Sequence, residues 1–153
     1  MAVFSHIMCC INLSENPDDV AQYVNDIVRQ NEAQLTVVRV APSSKEVSRR
    51  AVNTHLGELV KEGQKANEAA FVEYVKAHFE GQPEIVLAEG NIETELLRVI
   101  DKYCADLVII GSMSTKGLFG GWLNKSPESI IGKTRIPVLV IPNDLNLECT
   151  PDF

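Results

Sequence analysis

Short apolar runs alternate with longer amphipathic stretches along this entire chain, and no other feature limits the fold as much. Such alternation is the pattern of strands that reach parallel neighbours through crossing helices. The runs are His6 to Asn12, Gln34 to Val40, Glu84 to Ala88, Leu107 to Gly111 and Val138 to Ile141. The first is continuously apolar, as a strand covered on both faces should be. The order reads β-α-β-α-β-α-β-α-β, an α/β fold. With 153 residues and 45% hydrophobic composition, the chain closes one buried core and is too short for two ordinary domains. One domain is therefore expected over residues 1–153, with 143–153 as an aperiodic tail that is loose or packed on a neighbour.

The stretches between the runs carry helix signals. Asn16-Pro17-Asp18-Asp19 places a cap, a first-turn proline and two acids ahead of the apolar stripe Val20, Val24, Ile27 and Val28. Ala41-Pro42-Ser43-Ser44 ends the second strand, and Lys45 to Asn53 reads as a polar connector. A long helix is expected from Leu56 to Phe79, with the stripe Leu56, Leu59, Val60, Gly63, Ala66, Ala70 and Tyr74. Gly63 there implies a close packing point, since glycine costs a helix interior about 1 kcal/mol against alanine. Asn91 caps the third helix, whose stripe is Ile92, Leu96, Val99, Ile100 and Tyr103, and a fourth is expected from Pro127 to Thr134.

Charge and cysteine usage remove several function classes. A formal net charge of −7, with no basic cluster interleaved with aromatics, argues against nucleic acid as a partner. No run of about 18 apolar residues exists and no basic-then-apolar leader opens the chain, so a soluble cytoplasmic protein without membrane contact is expected. Cys9, Cys10, Cys104 and Cys149 have no C-x-x-C spacing, which fits reduced thiols rather than a disulfide frame or a zinc site. His6, His55 and His78 have no metal-ligand spacing around them. No nucleophile elbow or Cys/His pairing emerges, so no catalytic residue is assigned.

Any ligand is expected in the last third. The run ending in Gly111 opens into Ser112-Met113-Ser114-Thr115-Lys116-Gly117-Leu118-Phe119-Gly120-Gly121 before the next helix. A buried strand feeding a Gly/Ser/Thr-rich loop and a helix start converges unpaired backbone N–H groups, the usual construction for holding phosphate. Ordinary turn chemistry explains the same small polar residues.

These segments together resemble the universal stress protein family over nearly the whole chain. The family's opening Ile-Leu-x-x-x-Asp-x-Ser is filled by Ile7-Met8-Cys9-Cys10-Ile11-Asn12-Leu13-Ser14, and its His-Val ending of the second strand by Arg39-Val40. Gly90-Asn91, Ala105-Asp106-Leu107-Val108-Ile109-Ile110-Gly111 and Pro137 to Ile141 match its later phrases. The resemblance implies a Rossmann-like, adenine nucleotide α-hydrolase-like domain: a doubly wound parallel five-stranded sheet of order 3-2-1-4-5. It also implies a homodimer formed through the edge strand residues Val138, Leu139, Val140 and Ile141.

The family's nucleotide motif is altered in this chain. Its second glycine falls on Ser114, its third on Asn124 and its hydroxyl residue on Lys125, while the early acid falls on Asn12. Side chains at 114 and 124 obstruct a close backbone approach to phosphate. Asn12 lacks the charge that serves Mg2+ or a ribose hydroxyl, although it keeps a hydrogen-bonding group. Lys125 offers a cation, and Ser126 a hydroxyl one position late. Two readings follow. In one, the chain is a non-enzymatic stress-response protein acting as a homodimer, with weakened or absent ATP binding and no required cofactor. In the other, it senses ATP or AMP, with Mg2+, through Cys10, Ile11, Asn12, Val40, Ile110, Gly111, Ser114, Asn124, Lys125 and Ser126. A loop Ser112-Met113-Ser114-Thr115-Lys116 faintly similar to that of adenylating enzymes lacks their His-x-Gly-His segment, since Asn12-Leu13-Ser14-Glu15-Asn16 stands there. Slow ATP hydrolysis is the most that an enzymatic reading retains.

Overall fold

The computed structural model describes residues 2–12, 17–41, 43, 54–111 and 127–142. Five parallel strands form one sheet in the order β3-β2-β1-β4-β5. They are β1 (His6–Cys10), β2 (Gln34–Ala41), β3 (Glu84–Glu89), β4 (Leu107–Gly111) and β5 (Val138–Ile141). Helices α1 (Pro17–Asn31), α2 (Thr54–His78) and α3 (Ile92–Tyr103) connect them, with a 3-10 turn at Pro127–Ile130 before β5.

The central strands separate two cores by side-chain alternation. Ile7, Cys9 and Ile11 join Leu35, Val37, Leu107 and Ile109 beneath α1 and α2. Met8 and Cys10 join Val38, Val108 and Ile110 beneath α3 and Ile130. Adjacent Cys9 and Cys10 therefore point into different cores, and both are free and buried. Burial is the larger cause in each of a raised thiol pKa; that of Cys10, to which the nearby Glu128 also contributes, is pushed up to about 12. Both thiols are protonated structural side chains at neutral pH.

Asp106 anchors the start of the sheet. Its carboxylate accepts the backbone N–H groups of Ser5 at 2.7 Å and His6 at 3.0 Å, so the turn before β4 is tied to the entry of β1. Across the molecule, Tyr74 Oη donates to Asp18 Oδ1 at 2.5 Å and its ring stacks on His78 at 4.0 Å. That contact pins the first turn of α1 to the last turns of α2. The start of α1 follows β1 closely in sequence, so its position matters for the site at the strand ends.

Several sequence expectations need correction. Among the described side chains of α2 the buried ones are Phe71 and Val75, continued by Phe79 just beyond its end, with Tyr74 partly buried beside them as expected, whereas Ala66 and Ala70 are exposed. Large rings bury far more apolar surface than methyl groups at similar spacing, and they set the helix rotation. Gly63 is exposed and a Cβ there would meet nothing within 4 Å, so it is no packing point. In α1, Val20 and Val24 are buried as expected and Ala21 joins them, with Ile27 and Val28 only partly covered. The helix expected from Pro127 to Thr134 shortens to the 3-10 turn. Gly132 at φ +86 turns the chain, and Ile130 O accepts from both Lys133 N and Thr134 N. Strand β1 ends at Cys10 instead of Asn12, while β2 and β3 each run one residue further than expected. Helix α3 matches its stripe, and Asn91 caps it by accepting from Thr94 N at 3.0 Å. The cap at Asn16, the connector 45–53, the side chains of Leu56, Leu59, Val60 and His55, and the tail 143–153 with Cys149 lie outside the described residues.

Candidate functional site at the carboxyl edge of the sheet

Strand order reverses between β1 and β4: the chain moves outward through β2 and β3, then returns to continue through β4 and β5. Loops leaving β1 and β4 diverge to opposite faces at such a point, and the crevice between them is where open α/β sheets receive ligands. Cys10 pairs with Val38 on one side and Ile110 on the other, so Ile11 stands level with Arg39 and Gly111. Asn12 follows, half-buried, one step further towards the level of Val40.

The sequence-selected residues that are described divide into two groups. Cys10, Ile11 and Ile110 are at most 2% exposed and serve the cores. Asn12 and Val40 are half-buried and stand at the rim. Gly111 belongs to both groups. A Cβ on it would lie 3.1 Å from Val20 Cγ2 and 3.6 Å from Ile11 Cγ2, so its missing side chain lets α1 seat against the end of β4. Its φ is not positive, so glycine is needed here for close approach and not for a left-handed turn. The sequence reading assigned Gly111 to a phosphate loop and missed this packing role. Ser114, Asn124, Lys125 and Ser126 lie outside the described residues.

The rim continues to β3. Gly90 takes φ +128, and its N–H donates to Ala41 O at 2.8 Å, which ties the end of β3 to the end of β2. Arg39 is half-buried on β2, its neighbour in β3 being Leu87. The sequence reading noted it only as the counterpart of the family's histidine. Burial lowers its pKa, and Glu68 on α2 partly offsets that effect.

At the outer edge, β5 pairs with β4 alone among the described strands. Pro137 O accepts from Val108 N at 3.1 Å. By the two-residue alternation of a strand, Leu139 and Ile141 then turn their backbone groups towards β4, while Val138 and Val140 turn theirs outward. Ile141 is buried and Leu139 is 40% exposed.

Two other clefts lie away from this edge. One of about 410 Å³ sits at the amino ends of β2 and β3, bordered by His6, Thr36 and Tyr103. Another of about 640 Å³ runs between the end of α3 and residues 133–136, beside Cys104. No group of three or more His, Cys, Asp or Glu side chains able to hold a metal is found among the described residues. Nor is any described helix long and apolar enough to cross a membrane.

Solved structures share this architecture. A universal stress protein in complex with cAMP aligns with 92% of this chain and 98% of its own, at 14% identity and TM-score 0.62. The universal stress protein UspA from Lactobacillus plantarum aligns over 92% and 99%, at 16% identity and TM-score 0.66. A universal stress protein family member from Burkholderia pseudomallei aligns over 90% and 96%, at 17% identity and TM-score 0.53. No curated protein sequence matches significantly. Identities this low speak for the fold alone. The sequence model of the Universal stress protein family, however, matches residues 4–142, the span that contains every described strand. The chain therefore belongs to the universal stress protein family.

Proposed function

We propose that this protein is a non-enzymatic stress-response protein that acts as a homodimer, with ATP binding weakened or lost. The observation that carries the reading is the β5 edge. Val138-Leu139-Val140-Ile141 is apolar throughout, no described strand pairs with its outer side, and Leu139 is 40% exposed. A strand edge of this kind is a template for pairing, and a two-fold mate presenting the same edge satisfies the outward groups of Val138 and Val140.

Asn12 supports the second half of the reading. An amide is a far weaker ligand for Mg2+ than a carboxylate, so the end of β1 does not suit a Mg–triphosphate. The side chains at 114, 124 and 125 in the altered motif act in the same direction. A nucleotide-sensing alternative draws on the half-buried rim at Asn12 and Val40 and on the relative solved with cAMP. Sedimentation velocity of the full chain tests the dimer. A two-fold species is expected at micromolar protein, and Val140→Pro, which removes an outward N–H at an edge position that tolerates proline, shifts it to monomer. A native chain that stays monomeric at that concentration, or a Val140→Pro variant that remains a folded dimer, contradicts the edge-strand reading.

A further inference from the structure

The cleft of about 410 Å³ at the amino ends of β2 and β3 serves neither the β5 edge nor the carboxyl-edge crevice, and it lies at the opposite end of the sheet from the latter. Its polar wall comes from one face of the sheet. His6 stands beside Gln34 in the β1–β2 register, and Thr36 beside Glu84 in the β2–β3 register. Strand alternation from Met8, Val38 and Val86, which pack in the α3 core, puts all four on the α3 face. Tyr103, the last residue of α3, closes that face with its ring edge-on to His6, the centroids 6.3 Å apart. Thr36 is the one polar side chain fully buried among the described residues, and its Oγ1 lies 2.7 Å from His6 Nε2. That bond and the Tyr103 contact hold the His6 ring in place, so the wall is built before any ligand arrives.

The charge of the cleft has one sign. Glu80 and Glu84 border it, and no described lysine or arginine does. Glu80 is matched by Arg29 Nη2 at 2.6 Å, whereas Glu84 makes no ion pair and no side-chain hydrogen bond among the described residues. Lys102 lies over the Tyr103 ring, 5.4 Å from its centroid, and is not part of the wall. The net charge of −7 on the whole chain adds to the same potential, which favours cations and disfavours anions. The opposite wall is apolar, with Val28, Leu35 and Pro83. No group of three His, Cys, Asp or Glu side chains converges among the described residues, so a bare metal ion is poorly served there. A cation with a hydrocarbon body meets both walls.

We propose that this cleft binds a small organic ammonium compound, with Glu84 pairing the charge and the apolar wall covering the hydrocarbon part. The inference depends on neither the dimer nor the state of the nucleotide motif. Glu84 is exposed, so its ion pair with a ligand contributes modestly, and selectivity comes from charge and apolar cover together.

The test is a heteronuclear NMR titration of the full chain at physiological salt with three probes of one shape: butylammonium, butanol and butyrate. Butylammonium is expected to give saturable amide shifts confined to the surroundings of Gln34, Thr36 and Glu84, with Kd on the order of millimolar, as suits a ligand of few heavy atoms. Butanol and butyrate should give no saturable shift there. Glu84→Gln should weaken butylammonium binding by about fivefold, the upper range for an exposed ion pair. Glu89→Gln removes the same charge from the exposed far end of β3 and should bind as the native chain does. The dispersion of each spectrum shows that the variant is folded. An absence of saturable shifts up to tens of millimolar, or shifts centred elsewhere, overturns the inference. Equal binding of the three probes overturns it too, because charge then selects nothing. Native-like affinity in Glu84→Gln, or an equal loss in Glu84→Gln and Glu89→Gln, reduces the effect to attraction by the whole chain and also overturns it.

Discussion

Substituting Gly111 by alanine separates a packing role from a ligand role at the end of β4. The new methyl would lie 3.1 Å from Val20 Cγ2 and 3.7 Å from Val20 Cγ1, with Ile11 Cγ2 at 3.6 Å. Carbon atoms rest comfortably at about 3.5–4.0 Å, so Val20 must retreat by roughly half an ångström. Its side chain is stiff at χ1 and only 7% exposed, so the retreat has to be made by the first turns of α1. Overpacking of this kind costs about 1–3 kcal/mol. Replacing glycine at a position without positive φ restores about 0.4–1 kcal/mol by restricting the unfolded chain. The net expectation is a loss of about 1 kcal/mol, read in urea as a midpoint lowered by roughly 0.5 M at unchanged slope. A cycle with Val20→Ala gives the sharper result. Because the two sites touch, Val20→Ala should cost less in the Gly111→Ala background, with a coupling of about 0.5 kcal/mol or more. A neutral or stabilised Gly111→Ala that adds simply to Val20→Ala would refute the packing explanation.

Other outcomes follow from the same structure. Phe71→Ala removes a fully buried ring from the α2 face and should destabilise the fold by about 3–5 kcal/mol in chemical denaturation, whereas Ala66→Ser on the exposed side should change it by less than about 0.5 kcal/mol. At Asp106 burial alone would raise the carboxyl pKa, but the N–H groups of Ser5 and His6 outweigh it and hold the group below its usual range. A depressed folded pKa contributes stability that is present above the unfolded value of about 3.9 and lost as pH falls through the folded one. Asp106→Asn should therefore lower stability at neutral pH and flatten its decline below about pH 4, as measured by thermal melts across the acid range. Cys9 and Cys10, both buried with raised thiol pKa, should resist a maleimide at pH 8 in the native protein and react on unfolding, by mass spectrometry of the labelled peptides. Rapid native labelling at either would contradict their placement in the two cores.

The parts of the fold that were legible in the sequence are those fixed by one-dimensional patterns. Continuous apolar runs identify β1 and β4 because strands in the middle of a parallel sheet meet helices on both faces. Asn91 was legible as a cap because its chemistry is local: an oxygen three residues before a free N–H. The rotation of α2 was not legible, because alanines at helical spacing compete with Phe71 and Val75, and burial is decided by side-chain volume across the interface. The short turn after Pro127 depends on the left-handed geometry at Gly132, which an amphipathic count over 127–134 does not register. Asp106 looked like the polar start of an apolar run, yet its partners are a hundred residues earlier in the chain. In the site, spacing identified the end of β4 at Gly111, whereas β1 stops two residues before Asn12 and β2 runs one residue past Val40. It did not reveal that Val20 fills the space above Gly111, or that Arg39 stands half-buried on the face of β2 that Leu35 and Val37 turn to the α1/α2 core.

The most direct test of the altered pocket is titration of the nucleotide-stripped chain with ATP and Mg2+, beside an Asn124→Gly/Lys125→Ser variant that restores the family's motif at those positions. The expected result is no measurable heat from the native chain up to millimolar ATP and binding gained by the variant. Native binding of Mg–ATP with Kd on the order of micromolar, about 8 kcal/mol of affinity, would contradict it and make the protein a nucleotide sensor.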